Sequence, residues 1–148
     1  MDFNVKYSMG LVFDTSKNYV MLLQKTKPDF LKGKWNAPGG KIEENETALD
    51  CCVREVYEET DVKIFSDHWT HIFHLENMPK KYSLDIFYTV SDLIFTAKTT
   101  TEEQVQIVKL DNIDMYPLAT NINWFIEFAR ERSNSFMLPI CIDDFGGD

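Results

Sequence analysis

The sequence predicts an α/β fold: a mixed β-sheet with helices packed on its faces. Short apolar runs rich in β-branched and aromatic residues recur along the chain, bounded by turn formers. Two longer segments, 47–60 and 121–132, instead repeat their apolar residues at helical spacing. Strands on both sides of a helix, each with faces to bury, are best satisfied by a sheet covered by helices.

Residues 7–13 and 19–24 are apolar and β-rich, and Asp14-Thr15-Ser16-Lys17-Asn18 between them is a run of turn formers, so this pair reads as a hairpin. Residues 25–33 are polar and include Pro28, which predicts a loop. Trp35-Asn36-Ala37 reads as a short extended stretch that breaks at Pro38-Gly39-Gly40. Thr47 and Asp50 have the spacing of a capping box, and Leu49, Cys52, Val53 and Val56 form an apolar stripe, which predicts a helix ending near Thr60. Strands are expected at 62–65, 68–75, 82–90 and 105–110, with Asn77-Met78-Pro79-Lys80 turning the middle pair. In 82–90, Tyr82, Leu84, Ile86, Tyr88 and Val90 share one face. Ile122, Phe125, Ile126 and Ala129 mark a second amphipathic helix over 121–132.

The 148 residues are expected to form a single domain over 1–148, with 133–148 a tail the pattern does not place. With 15 Lys+Arg against 24 Asp+Glu the net charge is −9, which disfavours a stable nucleic-acid complex or an anionic membrane surface as partner. No apolar run approaches the ~18 residues of a membrane span, and the first residues carry no signal-peptide core. Cys51, Cys52 and Cys141 are an odd count with no disulfide framework, so a reducing cytoplasm is the expected location.

Glu55, Glu58 and Glu59 stand at i, i+3 and i+4 on the first helix, so their carboxylates share a face, expected roughly opposite the apolar stripe. One reading is a solvated acidic face with Asp50–Arg54 and Arg54–Glu58 pairs. The other is a site for a hard cation, since Mg²⁺ or Mn²⁺ takes oxygen ligands and usually binds substrate phosphate too. Spacing favours the second. Gly40, Glu46, Arg54-Glu55-Val56, Glu58-Glu59 and Val62 resemble the Nudix hydrolase signature G-x5-E-x7-R-E-U-x-E-E-x-G-U, U being a bulky aliphatic. Of nine constrained positions only the second glycine departs, being Asp61. Six identities at roughly 6% usage each arise by chance about once in 10⁵ chains of this size. Asp61 falls at the helix end, where a left-handed residue is common and Asp tolerates that conformation.

The resemblance implies an α/β/α sandwich with a mixed sheet and a loop-helix-loop box that holds divalent cations against a diphosphate. It makes the Gly39 carbonyl, Glu55, Glu58 and Glu59 the metal ligands, Arg54 the residue that orients the carboxylates and Glu46 a brace for the loop. Glu55 ranks first as general base, and Glu102 and Glu103 are the candidates for a further acidic ligand. The cofactor implied is Mg²⁺, with Mn²⁺ as substitute.

Lysines 25, 27, 32, 34 and 41 with Asp29 give residues 25–41 a local charge of +4, which would draw a polyanion, and Lys41 is the best placed for a phosphate. The run Trp35 to Lys41 resembles the approach to the box in the Nudix branch that hydrolyses oxidised purine nucleoside triphosphates such as 8-oxo-dGTP. There Asn36 could read a purine edge bidentately, and Asn121 stands where a second base-reading Asn occurs in some members. Asn36 reads equally well as a turn residue, and Asn121 as a helix cap. Trp124 reads as core. His68, His71 and His74, spaced by three, should place His71 on the opposite strand face from the other two, so no shared zinc site is expected. The Asp-rich run at 143–148 lacks a calcium-loop pattern. The first functional reading is hydrolysis of a nucleoside triphosphate to monophosphate and pyrophosphate. Alternatives are hydrolysis of ADP-ribose or dinucleoside polyphosphates, or a nucleotide-sensing domain without catalysis.

Overall fold

The computed structural model describes residues 4–131 and the strand Ile140–Asp143. Strands β1 (Val5–Phe13) and β2 (Tyr19–Gln24) form the expected hairpin, with Phe13 opposite Val20. Asp14 fixes its turn: one carboxylate oxygen accepts the N–H groups of Asn18 and Tyr19 at 2.8 and 2.9 Å, the local bonding that makes Asp a turn former. The chain continues through β3 (Trp35–Asn36), β4 (Gly39–Lys41), α1 (Ala48–Thr60), β5 (Thr70–Asn77), β6 (Tyr82–Val90), β7 (Val105–Lys109), α2 (Ile122–Glu131) and β8 (Ile140–Asp143).

The sheet runs β3-β2-β1-β6-β5-β8, with β4 on β1 and β7 on β2. It is mixed, because β1 pairs parallel with β6 and β5 parallel with β8 while the other pairs are antiparallel. The sheet forks beside β1. Only the end of β1 meets β2, whereas Tyr7, Ser8 and Met9 pair with Lys41, Gly40 and Gly39. The far end of β2 takes β3 instead, Leu23 opposite Asn36. Residues 35–41 therefore cross from one branch of the fork to the other through Ala37-Pro38, and the Pro38 carbonyl accepts the Gly10 N–H at 2.9 Å.

Each face of the sheet carries its own core, giving the α/β/α layering. Against α2 lie Met9, Leu11, Phe13, Leu22, Phe73 and Ile86. The helix meets them with Ile122, Phe125, Ile126 and Ala129, the expected stripe, each buried. Against α1 lie Val12, Met21, Ile64, Trp69, Phe87 and Ile94, met by Cys52 and Val56. Trp124 leans on Phe73 and Phe128 at the rim of the first core and is 47% exposed, less enclosed than its reading as core implied. No helix among the described residues is long and apolar enough to cross a membrane.

Three local expectations are corrected. Gly39 and Gly40 form a strand instead of a break, because bare backbone is what fits there: a Cβ on Gly39 would stand 2.3 Å from the Ser8 carbonyl oxygen. Residues 62–65 are not a strand. Their alternation is real, with Val62 and Ile64 buried and Lys63 and Phe65 exposed, but it reflects plugging of the α1-side core without a ladder partner. Residues 66–68 form a 3₁₀ turn, and a bulge between His71 and Phe73 breaks the strict alternation of β5. The bulge brings His71 and His74 to one side, where Nε2 of His71 and Nδ1 of His74 each lie 2.8 Å from Oδ1 of Asp85. His68 stays apart in the turn beside Asp67. Of the unplaced tail, 140–143 adds the edge strand β8; the rest, including 144–148 of the Asp-rich run, lies outside the described residues.

Candidate functional site

Helix α1 has a determined start and stop. Thr47 Oγ1 accepts the Asp50 N–H at 3.0 Å while Asp50 accepts the Thr47 N–H at 3.2 Å, a reciprocal cap worth about 1 kcal/mol. At the other end Asp61 adopts the left-handed conformation, φ 62° and ψ 17°, and its N–H closes on the Tyr57 carbonyl. Cys51, Cys52, Val56 and Thr60 are buried. Thr60 continues the expected stripe, but Cys51 is buried on the side of the helix that carries the glutamates. Glu55 and Glu59 therefore project between Cys51 and Cys52 and do not stand opposite the buried sector. Glu55 and Glu59 are half-buried and Glu58 is exposed.

Arg54 is the hub of the acidic cluster. Its Nε and Nη2 bind both oxygens of Glu46 at 2.7 and 3.0 Å, Nη1 donates to Glu55 Oε1 at 2.7 Å, and Glu58 lies at 3.4 Å. Nη2 also donates to the Lys41 carbonyl at 3.3 Å. Glu46 in turn accepts the Glu43 N–H at 2.9 Å. A bidentate guanidinium fork of this kind fixes orientation as well as charge. It also differs from the solvated face, whose Asp50–Arg54 pair gives way here to a partner eight residues away.

The electrostatics follow from these contacts. Hydrogen bonds from Arg54 hold Glu46 down at about 2 despite partial burial, and the same carboxylates push the Arg54 guanidinium up. Burial pushes Glu55 up against the opposing pull of Arg54. Glu59 is pushed up to about 7, by burial first and by Glu55 and Glu103 next, against the Gly39 N–H and Lys25. Its Oε1 accepts that N–H at 2.9 Å. Burial also pushes the Cys51 thiol up to about 12, and the Cys52 thiol is raised too, so both behave as small hydrophobes.

A Cβ on Gly40 would meet the Glu55 carboxyl carbon at 2.6 Å, so only glycine lets this carboxylate lie on the backbone. The donor set of Glu55, Glu58 and Glu59 is all oxygen and suits a hard cation. Among the described residues no three acidic, His or Cys groups already converge on one point.

Of the two later acids, Glu103 is buried and Glu102 exposed. Glu103 accepts from Lys25 Nζ at 3.1 Å and from the Thr26 N–H at 2.9 Å, a pairing the sequence reading missed. Lys25 is thus bound within the protein, while Lys27, Lys32 and Lys41 are exposed. The Asn36 side-chain oxygen accepts the adjacent Ala37 N–H at 2.9 Å, which leaves its amide NH₂ as the end open to a ligand. Asn121 is exposed with φ 69° immediately before α2, and among the described residues its amide caps no helix N–H. Trp35 is stitched to the segment before Asn121: the Trp35 N–H donates to the Pro117 carbonyl at 2.8 Å and the Ala119 N–H to the Trp35 carbonyl at 2.9 Å. The stretches carrying the two asparagines therefore run side by side.

A family model described as the NUDIX domain matches residues 6–126. Over 110 residues the chain is 34% identical to the Mus musculus protein named nucleoside diphosphate-linked moiety X motif 6, covering 74% of this chain and 34% of that one. It thus spans about a third of that relative's length. Over 115 residues it is 30% identical to the Mus musculus oxidized purine nucleoside triphosphate hydrolase, covering 75% and 72% of the two chains. Among solved structures, the NUDIX domain of Shewanella oneidensis NrtR complexed with ADP ribose superposes with a TM-score of 0.75 at 21% identity. That match covers 89% of this chain and 90% of the other, and it speaks for the fold.

Proposed function

The chain belongs to the NUDIX family of hydrolases, and from that premise we propose that it is a Mg²⁺-dependent pyrophosphohydrolase. Its substrate on this reading is a nucleoside triphosphate, with 8-oxo-dGTP or a related purine nucleotide first, cleaved to monophosphate and pyrophosphate. The observation that carries the reading is the Arg54-organised carboxylate cluster packed on Gly39-Gly40, one strand crossing away from Asn36.

Glu55, Glu58, Glu59 and the Gly39 carbonyl would hold the metal. When bound, the metal offsets the charge of the diphosphate and acidifies water, with Mn²⁺ able to substitute. Water adds at phosphorus, the bridging P–O bond breaks, and the proton passes to a carboxylate. Glu55 is first for that role, since its burial favours taking up a proton. Arg54 orients Glu55, and Glu46 holds Arg54 and the loop before the helix. Lys41, exposed beside the glycine pair, meets a phosphate, and Asn36 and Asn121 read the base. The partner is a small nucleotide. The net charge of −9 and the buried free thiols Cys51 and Cys52 support a cytoplasmic protein without a stable nucleic-acid complex. The ADP ribose bound by the NrtR domain supports a second reading, hydrolysis of ADP-ribose or a related nucleoside diphosphate.

The test is a substrate panel with Mg²⁺: 8-oxo-dGTP, dGTP, ADP-ribose and diadenosine polyphosphates. Asn36→Ala and Asn121→Ala should each weaken use of the preferred triphosphate by roughly 1–3 kcal/mol in kcat/KM, relative to a substrate held through its phosphates. An unchanged ratio moves the substrate to the second reading. Full turnover in excess chelator, or by both Glu58→Gln and Glu59→Gln, overturns the metal mechanism.

A further inference from the structure

Lys25 is the first residue after β2, and its position is fixed on both sides. Its N–H donates to the Lys34 carbonyl and its carbonyl accepts the Gly33 N–H, both at 2.8 Å. Its ammonium lies 3.1 Å from Glu103 Oε1, and Thr26 supplies an N–H to the other oxygen. Glu103 is only 6% exposed. The segment leading to Glu103 is tied to the end of α1 that carries Glu58 and Glu59: the Lys98 N–H donates to the Thr60 carbonyl at 2.9 Å and the Thr100 hydroxyl donates to the Glu58 carbonyl. Of the half-buried or buried carboxylates on this side, Glu55 is paired with Arg54 and Glu103 with Lys25, while Glu59 accepts the Gly39 N–H. Arg54 is held by Glu46 through two hydrogen bonds, whereas Lys25 is a single ammonium on a flexible stem. A divalent cation drawn to this cluster and the ammonium on Glu103 would repel each other at short range in a partly desolvated site.

We propose that Lys25 is a built-in counter-cation of the metal-free site, exchanged off Glu103 when a divalent cation loads. The exchange releases Glu103 to face the cation. This rests on the metal reading above. Lys25 is a positioning residue that acts through Glu103, and its charge competes with the metal.

Equilibrium binding of Mn²⁺ alone to the full chain, followed by electron paramagnetic resonance, tests the exchange. Lys25→Met should bind Mn²⁺ roughly three- to tenfold more tightly than wild type, the scale of one partly exposed ion pair. Its metal-free melting temperature should fall, because Glu103 loses its cation, and Lys25→Arg should restore both values. A second measurement needs no variant: acylation of Lys25 by an amine-reactive ester, read by peptide mass, should rise when wild type is loaded with Mg²⁺. Equal or weaker Mn²⁺ binding by folded Lys25→Met, or Lys25 acylation indifferent to Mg²⁺ in protein that binds it, overturns the exchange alone. A wild-type chain that takes up neither ion overturns the metal reading with it.

Discussion

Replacing Glu59 by Gln should stabilise the metal-free protein at alkaline pH while weakening metal binding. In the folded chain this carboxyl is pushed up from an ordinary 4.5 to about 7, chiefly by burial. A carboxyl raised in the folded state favours folding in its protonated form. Its contribution is therefore full below 4.5 and is lost as pH rises toward and through 7. Above 7 the folded chain carries the whole penalty of a charged Glu59, and 2.5 pH decades at 1.36 kcal/mol each set an upper bound of about 3 kcal/mol. Gln keeps an oxygen for the Gly39 N–H, now 2.9 Å from Glu59, so little is lost in exchange. For a chain of this size the gain corresponds to roughly 5–10 °C in melting temperature. Thermal melts of wild type and Glu59→Gln in chelator should diverge at pH 8.5 and converge near pH 4.5. With saturating Mn²⁺ at pH 8.5 the order should reverse, because only wild type presents the anionic ligand. A pH-independent difference in chelator, or a less stable variant at pH 8.5, would refute the assignment of the strain to Glu59.

Two further predictions test other parts of the same architecture. Gly40→Ala should keep the fold, since its Cβ meets the movable end of Glu55, but should displace that carboxylate and lower kcat more than tenfold; circular dichroism with steady-state kinetics separates the two effects. For His74, burial opposes the charge but Glu76 and Asp85 outweigh it and hold the ring above its ordinary 6.5. Its contribution to stability is therefore complete below 6.5 and fades as pH rises through the elevated value, and His74→Gln should flatten the denaturation midpoint against pH over that window.

The parts of this molecule legible in its sequence are those encoded locally. The capping box at Thr47 and Asp50, the left-handed stop at Asp61 and the stripe of α2 each need only residues within a turn or two. The box spacing likewise made Arg54 and its glutamates visible as a group. What escaped depended on contacts distant in sequence. Lys25 and Glu103 are 78 residues apart, and nothing near either one marks the other. The bulge that brings His71 beside His74 comes from pairing with β6, so period-2 counting could not foresee it. Val62 and Ile64 alternate like a strand because two environments flank them, whereas a strand also needs a neighbour to bond. Gly39 and Gly40 look like a turn until β1 is brought against them.

The crossing of the fork has a consequence for how such a protein can change its diet. Asn36 on one branch and Gly40 on the other are separated by a fixed length of chain, paired to β2 at one end and β1 at the other. It works as a ruler between the place where a base would be read and the place where phosphates would be cut. A one-residue insertion between them would flip the side chains beyond it to the opposite face or push the glycines out of register with Glu55. Evolution or an engineer is therefore free to swap side chains along the ruler, or to remodel the loop before it, but not to alter its length. Relatives with new substrates should differ here by substitution, with gains and losses of residues confined to the turns outside the fork.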